Sequence, residues 1–159
     1  TASVLGEYEE KLKKWAWLVA FLPLVMSSGG NSGNQSATLI ITALSTGDVT
    51  LADWKQIFWR ELRVGLLLGS LLAVIGFVVS IGLTWSDPEA GKLRFWPLVV
   101  PVTLVLVVTC GAVSGSLLPL LFKRLGLDPA LMSNPFVAAL SDILAILIYM
   151  TVSITLLSL

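Results

Sequence analysis

The sequence contains no histidine and a single cysteine, Cys110. Imidazole and thiolate are the ligands that zinc, copper and iron favour, so the composition argues against a bound transition metal. One cysteine cannot form an intrachain disulfide, and we interpret Cys110, which lies in an apolar run, as a small core residue. No nucleophile with a paired base and no phosphate-binding loop is present, so we expect no enzyme.

Charge is also scarce, because charged residues make up 13% of the chain, with 10 Lys and Arg against 10 Asp and Glu. This balance gives no reason to propose nucleic acid as a partner. Hydrophobic residues, in contrast, make up 56%. They concentrate in four stretches nearly free of charge: Trp15–Gly47, Val64–Ser86, Phe95–Phe122 and Pro129–Leu159. Each exceeds the roughly 20 residues that a helix needs to cross a lipid bilayer, which predicts an all-α polytopic membrane protein, a helical bundle with four spans.

Two segments in the N-terminal half have polar and apolar residues at the spacing expected of helices on the membrane surface. Glu→Lys pairs four residues apart in Glu7–Lys14 predict a short solvated helix. Thr50–Glu61 predicts an interfacial helix, capped by Thr50 with Asp53 three positions later. A second span is then expected over about Leu62–Trp85.

The second half of the chain alternates apolar segments with turn signals. Asp87-Pro88-Glu89 predicts a turn before a third span over about Trp96–Leu121. A loop over Phe122–Asn134 is expected to lead into the last span. Asn134 is a good N-cap and Pro135 a good first helical residue. Basic residues divide equally between the two sides, so their distribution does not fix the orientation.

The first apolar segment is interrupted by a polar, Gly-rich run, Ser27–Ser36. Irregular backbone exposed to lipid would leave amides and carbonyls without partners, so we predict that this run packs against protein or lines water. The spacing of Gly29 and Gly33 also suits a tight helix crossing with no other role. The density of Asn and Gln favours the lining of an aqueous path, because packing alone needs no amides.

Asp142 is the only formally charged residue within the long apolar stretches. A carboxylate at such depth costs at least ~2.5–3.5 kcal/mol, and such residues usually face a water-filled path or a partner. The oxygen ligands available in this chain suit hard cations. Magnesium keeps several waters and needs only one or two carboxylates, which one Asp142 from each of two chains would supply. An interhelical hydrogen bond to Asn34 or Gln35 is the alternative role.

Three blocks of sequence resemble the MgtE family of magnesium channels. The first is Gly29–Thr38 preceded by Leu22-Pro23, the second is Lys123–Pro135, and the third is Ala138–Asp142. They occur in the family's order at similar intervals. The resemblance implies a homodimer in the lipid bilayer of the cell (inner) membrane, with five helices per subunit and a pore formed at the dimer axis by the second and fifth helices.

The same resemblance implies that residues 1–159 form the transmembrane pore domain of a longer protein. Thr1–Gly6 is similar to the end of the family's first helix, so the chain would hold a remnant of that helix and four full spans. The family carries a cytoplasmic regulatory half with paired CBS domains upstream, and that half is not in this sequence. Mg²⁺ would be the transported and bound ion.

The resemblance also implies site residues. A hydrated Mg²⁺ would be held by Asp142, with help from the backbone carbonyls of Asn134 and Ala138. Asp128 and Glu61 match the cytoplasmic end, where acidic residues help to sense magnesium. The pore lining is expected at Gly29, Gly30, Asn31, Gly33, Asn34, Gln35 and Ser141. From the residues alone, an ion-coupled secondary transporter and a membrane scaffold without transport activity remain alternatives to a channel.

Overall fold

The computed structural model describes residues 16–85 and 95–157. The predicted surface helix Glu7–Lys14, the first-helix remnant Thr1–Gly6 and the turn at 87–89 lie outside the described residues. Short 3-10 helices cover Ala16–Phe21 and Leu51–Asp53. The four long helices are α1 (Leu22–Thr46), α2 (Trp54–Thr84), α3 (Trp96–Arg124) and α4 (Pro129–Leu157). The described part of the chain is therefore all-helical, as predicted.

Three helical segments in the described part are long and apolar enough to cross a membrane: Leu51–Gly82, Trp96–Arg124 and Asn134–Leu157. The chain is thus a multi-pass membrane protein. Helix α1 has 25 residues, which at about 1.5 Å per residue gives sufficient length to cross. Its polar run lowers its hydropathy, so composition alone supports three spans where four were predicted.

The prediction of a separate interfacial helix at Thr50–Glu61 is wrong. After the 3-10 turn, α2 continues without a break from Trp54 to Thr84. The predicted cap is present, because the Thr50 N–H donates to Asp53 Oδ2 at 2.8 Å. Helix α2 contains no proline, so nothing in its backbone ends the helix where its amphipathic first turns meet its apolar remainder.

The predicted start of the last helix at Asn134 and Pro135 is also wrong. Helix α4 begins at Pro129, and Asp128 Oδ1 accepts a hydrogen bond from the Ala130 N–H at 2.9 Å. Asp followed by Pro is as good a start signal as Asn followed by Pro. The earlier pair begins the helix, and Pro135 is accommodated inside it.

Irregular backbone at Ser27–Ser36 was predicted wrongly, because α1 is helical throughout this run. A helix satisfies its backbone groups internally, which is what a membrane environment requires. Ser and Thr hydroxyl groups of α1 also find hydrogen-bond acceptors within the helix. Ser28 Oγ donates to the Leu24 carbonyl at 2.7 Å, and Thr38 Oγ1 donates to the Asn34 carbonyl at 2.9 Å.

Helix α1 crosses α3 through facing glycines. A Cβ on Gly111 would lie 2.5 Å from the Gly29 carbonyl oxygen, and a Cβ on Gly115 would overlap the Gly33 carbonyl oxygen. The order of these contacts shows that α1 and α3 run parallel. The close approach that the Gly29–Gly33 spacing suggested is therefore confirmed.

Helix α2 packs against α3 in the opposite direction. A Cβ on Gly65 would lie 2.7 Å from Thr109 Cα, and a Cβ on Gly69 would lie 2.8 Å from Val105 Cα. Helix α4 also runs antiparallel to α1, because Gly29 approaches Ala145 and Gly33 approaches Ser141. Successive helices thus point in opposite directions, and α3 is in contact with the other three helices.

The two ends of the bundle differ in chemistry. At one end, α1 and α3 finish and α2 and α4 begin. The charged residues within the described ranges, other than Asp142, all lie at that end: Asp48, Asp53, Lys55, Arg60, Glu61, Arg63, Lys123, Arg124 and Asp128. The other end holds an apolar core that includes Leu18, Phe21, Val25 and Tyr149. Glu61 and Asp128, which the resemblance assigns to the cytoplasmic end, therefore lie at the same end of the bundle.

Candidate functional site

Asp142 lies midway along α4, about 20 Å from the start of that helix by its rise per residue. Its carboxylate is partly exposed. On α1 the residue opposite is Gly30, where a Cβ would lie 4.0 Å from Asp142 Oδ1. Within the described residues no hydrogen bond or ion pair engages this carboxylate, so the alternative of a bond to Asn34 or Gln35 finds no support. The carboxylate is open to a ligand.

Helix α1 presents amide and hydroxyl groups on the side next to this carboxylate. A groove of about 510 Å³ is lined by Asn31, Asn34, Gln35, Thr38 and Leu39. Residues three and four apart lie on the same side of a helix, which is why these side chains share one groove. Asn31 and Gln35 are exposed, and Asn31 Nδ2 donates to Ser27 Oγ at 3.2 Å.

Two oxygens beside the site are buried and have no hydrogen-bond partner in the described structure. These atoms are Asn34 Oδ1 and Ser141 Oγ. Buried polar atoms are nearly always paired, and leaving one unpaired costs about 1–3 kcal/mol. Both atoms belong to residues predicted as pore lining. Their role in lining a path stays a prediction.

The glycines of α1 divide between two roles. Gly29 and Gly33 are buried at the crossing with α3. Gly33 also faces α4, because a Cβ at this position would lie only 2.8 Å from Ser141 Oγ. Gly30 instead faces Asp142. The predicted lining of a path and the predicted tight packing are therefore both compatible with this helix, on different sides of it. A lining role for Gly29 and Gly33 stays a prediction.

Asn134 and Ala138 precede Asp142 by two turns and one turn, so the three residues follow one side of α4. Asn134 is exposed and Ala138 is half-buried. Both lie within α4, which places them between the charged end of the bundle and Asp142. Their predicted role through backbone carbonyls stays a prediction.

The two acidic residues predicted at the cytoplasmic end differ in accessibility. Asp128 is exposed and caps α4. Glu61 is only 4% exposed, and both of its oxygens are engaged. Ser36 Oγ donates to Oε2 at 2.7 Å, and Arg60 donates to Oε1 through Nε at 3.0 Å and Nη2 at 2.8 Å. Sequence reasoning missed the pairing of Ser36 with Glu61, because neither local pattern marks a partner 25 residues away.

The donor set is sparse for a dehydrated metal ion. The described residues contain no group of three His, Cys, Asp or Glu side chains that could hold a metal. The described part of the chain therefore offers a single carboxylate at mid-depth, opposite Gly30 of the helix that carries the amide and hydroxyl groups. Such a set suits a cation that keeps most of its water, which is the behaviour of Mg²⁺.

The fold and this polar side together define a multi-pass helical membrane protein with an acidic site in its membrane-embedded part. A family model described as MgtE, divalent cation transporter, matches residues 22–152. The chain belongs to this family. The match confirms the resemblance drawn from the sequence, and a family of transporters agrees with the expectation of no enzymatic activity.

Individual relatives extend over nearly the whole chain. It is 44% identical over 156 residues to the magnesium transporter MgtE of Thermus thermophilus, which covers 96% of this chain. It is 32% identical over 149 residues to the magnesium transporter MgtE of Bacillus subtilis, which covers 94% of this chain. In both cases the chain spans 32% of the relative's length.

Proposed function

We propose that this chain forms the ion pathway of a magnesium channel, through which hydrated Mg²⁺ moves passively down its electrochemical gradient. Asp142 provides the negative charge of the selectivity site. The observation that carries the proposal is a carboxylate at mid-depth that has no partner among the described residues and lies opposite Gly30, next to the amide-lined groove of α1. The printed names of the relatives, which are magnesium transporters, support the same ion.

The ligand chemistry supports a hard divalent cation. Carboxylate, amide and hydroxyl oxygens suit Mg²⁺, whose reluctance to lose water matches a site with few direct ligands. Sparse charge also favours conduction, because an ion must leave the site as readily as it enters. One Asp142 from each of two subunits would balance the charge of one Mg²⁺.

The exposed polar side of the bundle supports a homodimer. Exposed to lipid, the amides of Asn31 and Gln35 and the carboxylate of Asp142 would lose their hydration without compensation. A second copy related by a two-fold axis would cover them. Helices α1 and α4 of both subunits would then surround a water-filled path, with Asp142 of the partner subunit opposite its counterpart.

Two further features weaken the alternatives. An ion-coupled transporter was suggested by a broken helix at membrane depth, but α1 is uninterrupted. A scaffold in which Asp142 locks two helices requires a bond from its carboxylate, and the described residues of one subunit provide none. Flux that requires a sodium or proton gradient would restore the transporter hypothesis.

The test is Mg²⁺ influx into liposomes that contain a magnesium-sensitive dye and hold the reconstituted protein under a membrane potential. Asp142→Ala should lower influx by about tenfold or more, because a charge-assisted contact of ~1.5–3 kcal/mol is removed. Ser70→Ala is the matched control, since Ser70 is exposed on α2 and its hydroxyl bonds only to the Leu66 carbonyl of its own helix. Unchanged influx in Asp142→Ala would refute the assigned role.

A further inference from the structure

We infer that Glu61 is a positioning residue for the ion pathway: its carboxylate fixes the rotation of α1 about its own axis. This inference rests on the proposed function. Glu61 does not touch the path. It acts through Ser36, on the side of α1 that faces α2, and so sets the direction in which the amide groups of α1 point.

The Glu61 carboxylate is held with one oxygen directed at α1. A buried charge is costly unless it is paired and its remaining lone pairs are satisfied. Arg60, whose side chain is 50% exposed, directs Nε and Nη2 at the same oxygen, Oε1. This arrangement leaves Oε2 for the hydroxyl of Ser36 at 2.7 Å. Arg60 thus neutralises the charge and orients the group.

The bond to Ser36 spans a region where α1 and α2 are not closely packed. A groove of about 530 Å³ lies there, with Gln35, Ser36, Leu39, Glu61 and Leu68 among its lining residues. Side chains of α1 and α2 do not fill this space, and the apolar contact between the two helices lies one turn closer to the charged end, where Ile40 and Leu44 pack with Ile57. The hydrogen bond to a charged acceptor is the directional constraint at this level.

The contacts between α1 and α3 restrain the distance between the two helices more than they restrain rotation of α1 about its own axis. Between Gly29 and Gly33 the two backbones meet through glycines, which fix how closely they approach but offer few side chains that would hold the helix against turning. Buried apolar side chains of α1 pack only on either side of this stretch, Val25 before it and Ile40 and Leu44 after it. One turn before Ser36, the hydroxyl of Ser32 donates to the Val108 carbonyl at 3.1 Å. The hydrogen bond from Ser36 to Glu61 is a second constraint on α1. It connects α1 to α2, and its acceptor is a carboxylate.

Rotation of α1 would change which of its side chains line the path. Ser36 follows Gln35 and precedes Thr38 by two residues, and both of these line the groove next to Asp142. Since a helix turns as one body, a rotation that breaks the Ser36 bond also redirects these side chains. Glu61 therefore acts on the path through the rotation of α1, whose Gln35 and Leu39 line both this groove and the groove beside α2.

The test maps the accessibility of α1 with single cysteines in a Cys110→Ser background. Gln35→Cys and Thr38→Cys lie in the exposed groove, whereas Ala37→Cys occupies a fully buried position. The rate of modification by a charged, water-soluble thiol reagent is measured for each in reconstituted protein. With Glu61 intact, the first two positions should react and the third should not.

Glu61→Leu should then slow modification at Gln35→Cys by about tenfold and raise it at Ala37→Cys, because α1 is released to turn. Glu61→Gln keeps a hydrogen-bonding partner for Ser36, because the amide oxygen can accept from Arg60 while the amide nitrogen donates to Ser36 Oγ, so this variant should keep the original pattern of modification. Ser36→Ala leaves the pair of Arg60 and Glu61 in place and should reproduce the effect of Glu61→Leu.

An unchanged pattern in Ser36→Ala and Glu61→Leu would overturn the inference. If Glu61→Leu does not fold, Ser36→Ala decides alone. Thiol modification does not depend on ion flow, so the result is separate from the proposed function. Absence of Mg²⁺ influx in the unmodified protein would refute the channel, whereas a shifted pattern would still establish the positioning role.

Discussion

Gly115 of α3 lies so close to the Gly33 carbonyl oxygen of α1 that a Cβ at position 115 would overlap it. The contact is between backbones, so no side chain can turn aside to make room. Gly115→Ala should therefore destabilise the protein by about 1–3 kcal/mol through overpacking. Thermal unfolding in detergent, followed by size-exclusion chromatography, measures the loss.

Gly82→Ala is the control for this substitution, because a Cβ at Gly82 would meet no atom within 4 Å. In a helix, Ala is favoured over Gly by about 0.5–1 kcal/mol, so this variant should be as stable as the parent or more so. Equal stability of the two variants would contradict the described crossing.

Tyr149→Phe should loosen the attachment of the 3-10 helix Ala16–Phe21. The buried Tyr149 hydroxyl donates to the Leu18 carbonyl at 2.9 Å, 131 residues away in sequence. Its removal leaves a buried acceptor unpaired, at a cost of about 1–3 kcal/mol. The unfolding temperature should fall, whereas Thr151→Val should change it little, since Thr151 is exposed and bonds only within α4.

Substitutions at Gly30 should separate stability from conduction. A Cβ there would make an ordinary contact at 4.0 Å with Asp142 Oδ1, so Gly30→Ala should fold with nearly unchanged stability. Gly30→Leu would place a branched apolar side chain over the carboxylate and displace its water. Under the proposed function, Mg²⁺ influx should then fall well below that of Gly30→Ala. Equal influx in the two variants would place the path elsewhere.

Lys123→Met should weaken the end of α1. Lys123 Nζ donates to the Leu44 carbonyl at 3.3 Å, close to the C-terminus of α1, where the helix dipole favours a positive charge by about 0.3–1 kcal/mol. Part of this effect should disappear at high salt, because screening acts on partly exposed charges. Unfolding measured at low and high ionic strength shows it, and Arg124→Met, the exposed neighbour, should have a smaller effect.

Much of the fold follows from hydropathy. The apolar run that predicts a third span over Trp96–Leu121 corresponds to α3, which extends to Arg124. Asp142 is also evident from sequence, because a lone charge in an apolar run needs no structure to be noticed. The residue facing it, Gly30, has no side chain that could reveal the contact.

The errors have local causes. The run Ser27–Ser36 has poor helix propensity, but in a membrane the need to satisfy the backbone outweighs propensity. Asp128-Pro129 and Asn134-Pro135 give equivalent start signals, so the sequence cannot choose between them. The structure begins the helix at the first pair and packs Phe136 against Phe122 with ring centroids 5.4 Å apart.

The polarity of α1 bears on how the protein is assembled in the bilayer. Its amides make entry into lipid as a single helix unfavourable, and the glycines facing α3 give it little apolar surface to compensate. Helix α1 therefore depends on later parts of the chain to remain in the bilayer. The side of α1 near Asp142 is completed only after α4 has been synthesised, so in a nascent chain halted before that point α1 would have α3 as a neighbour but would leave this polar side without α4.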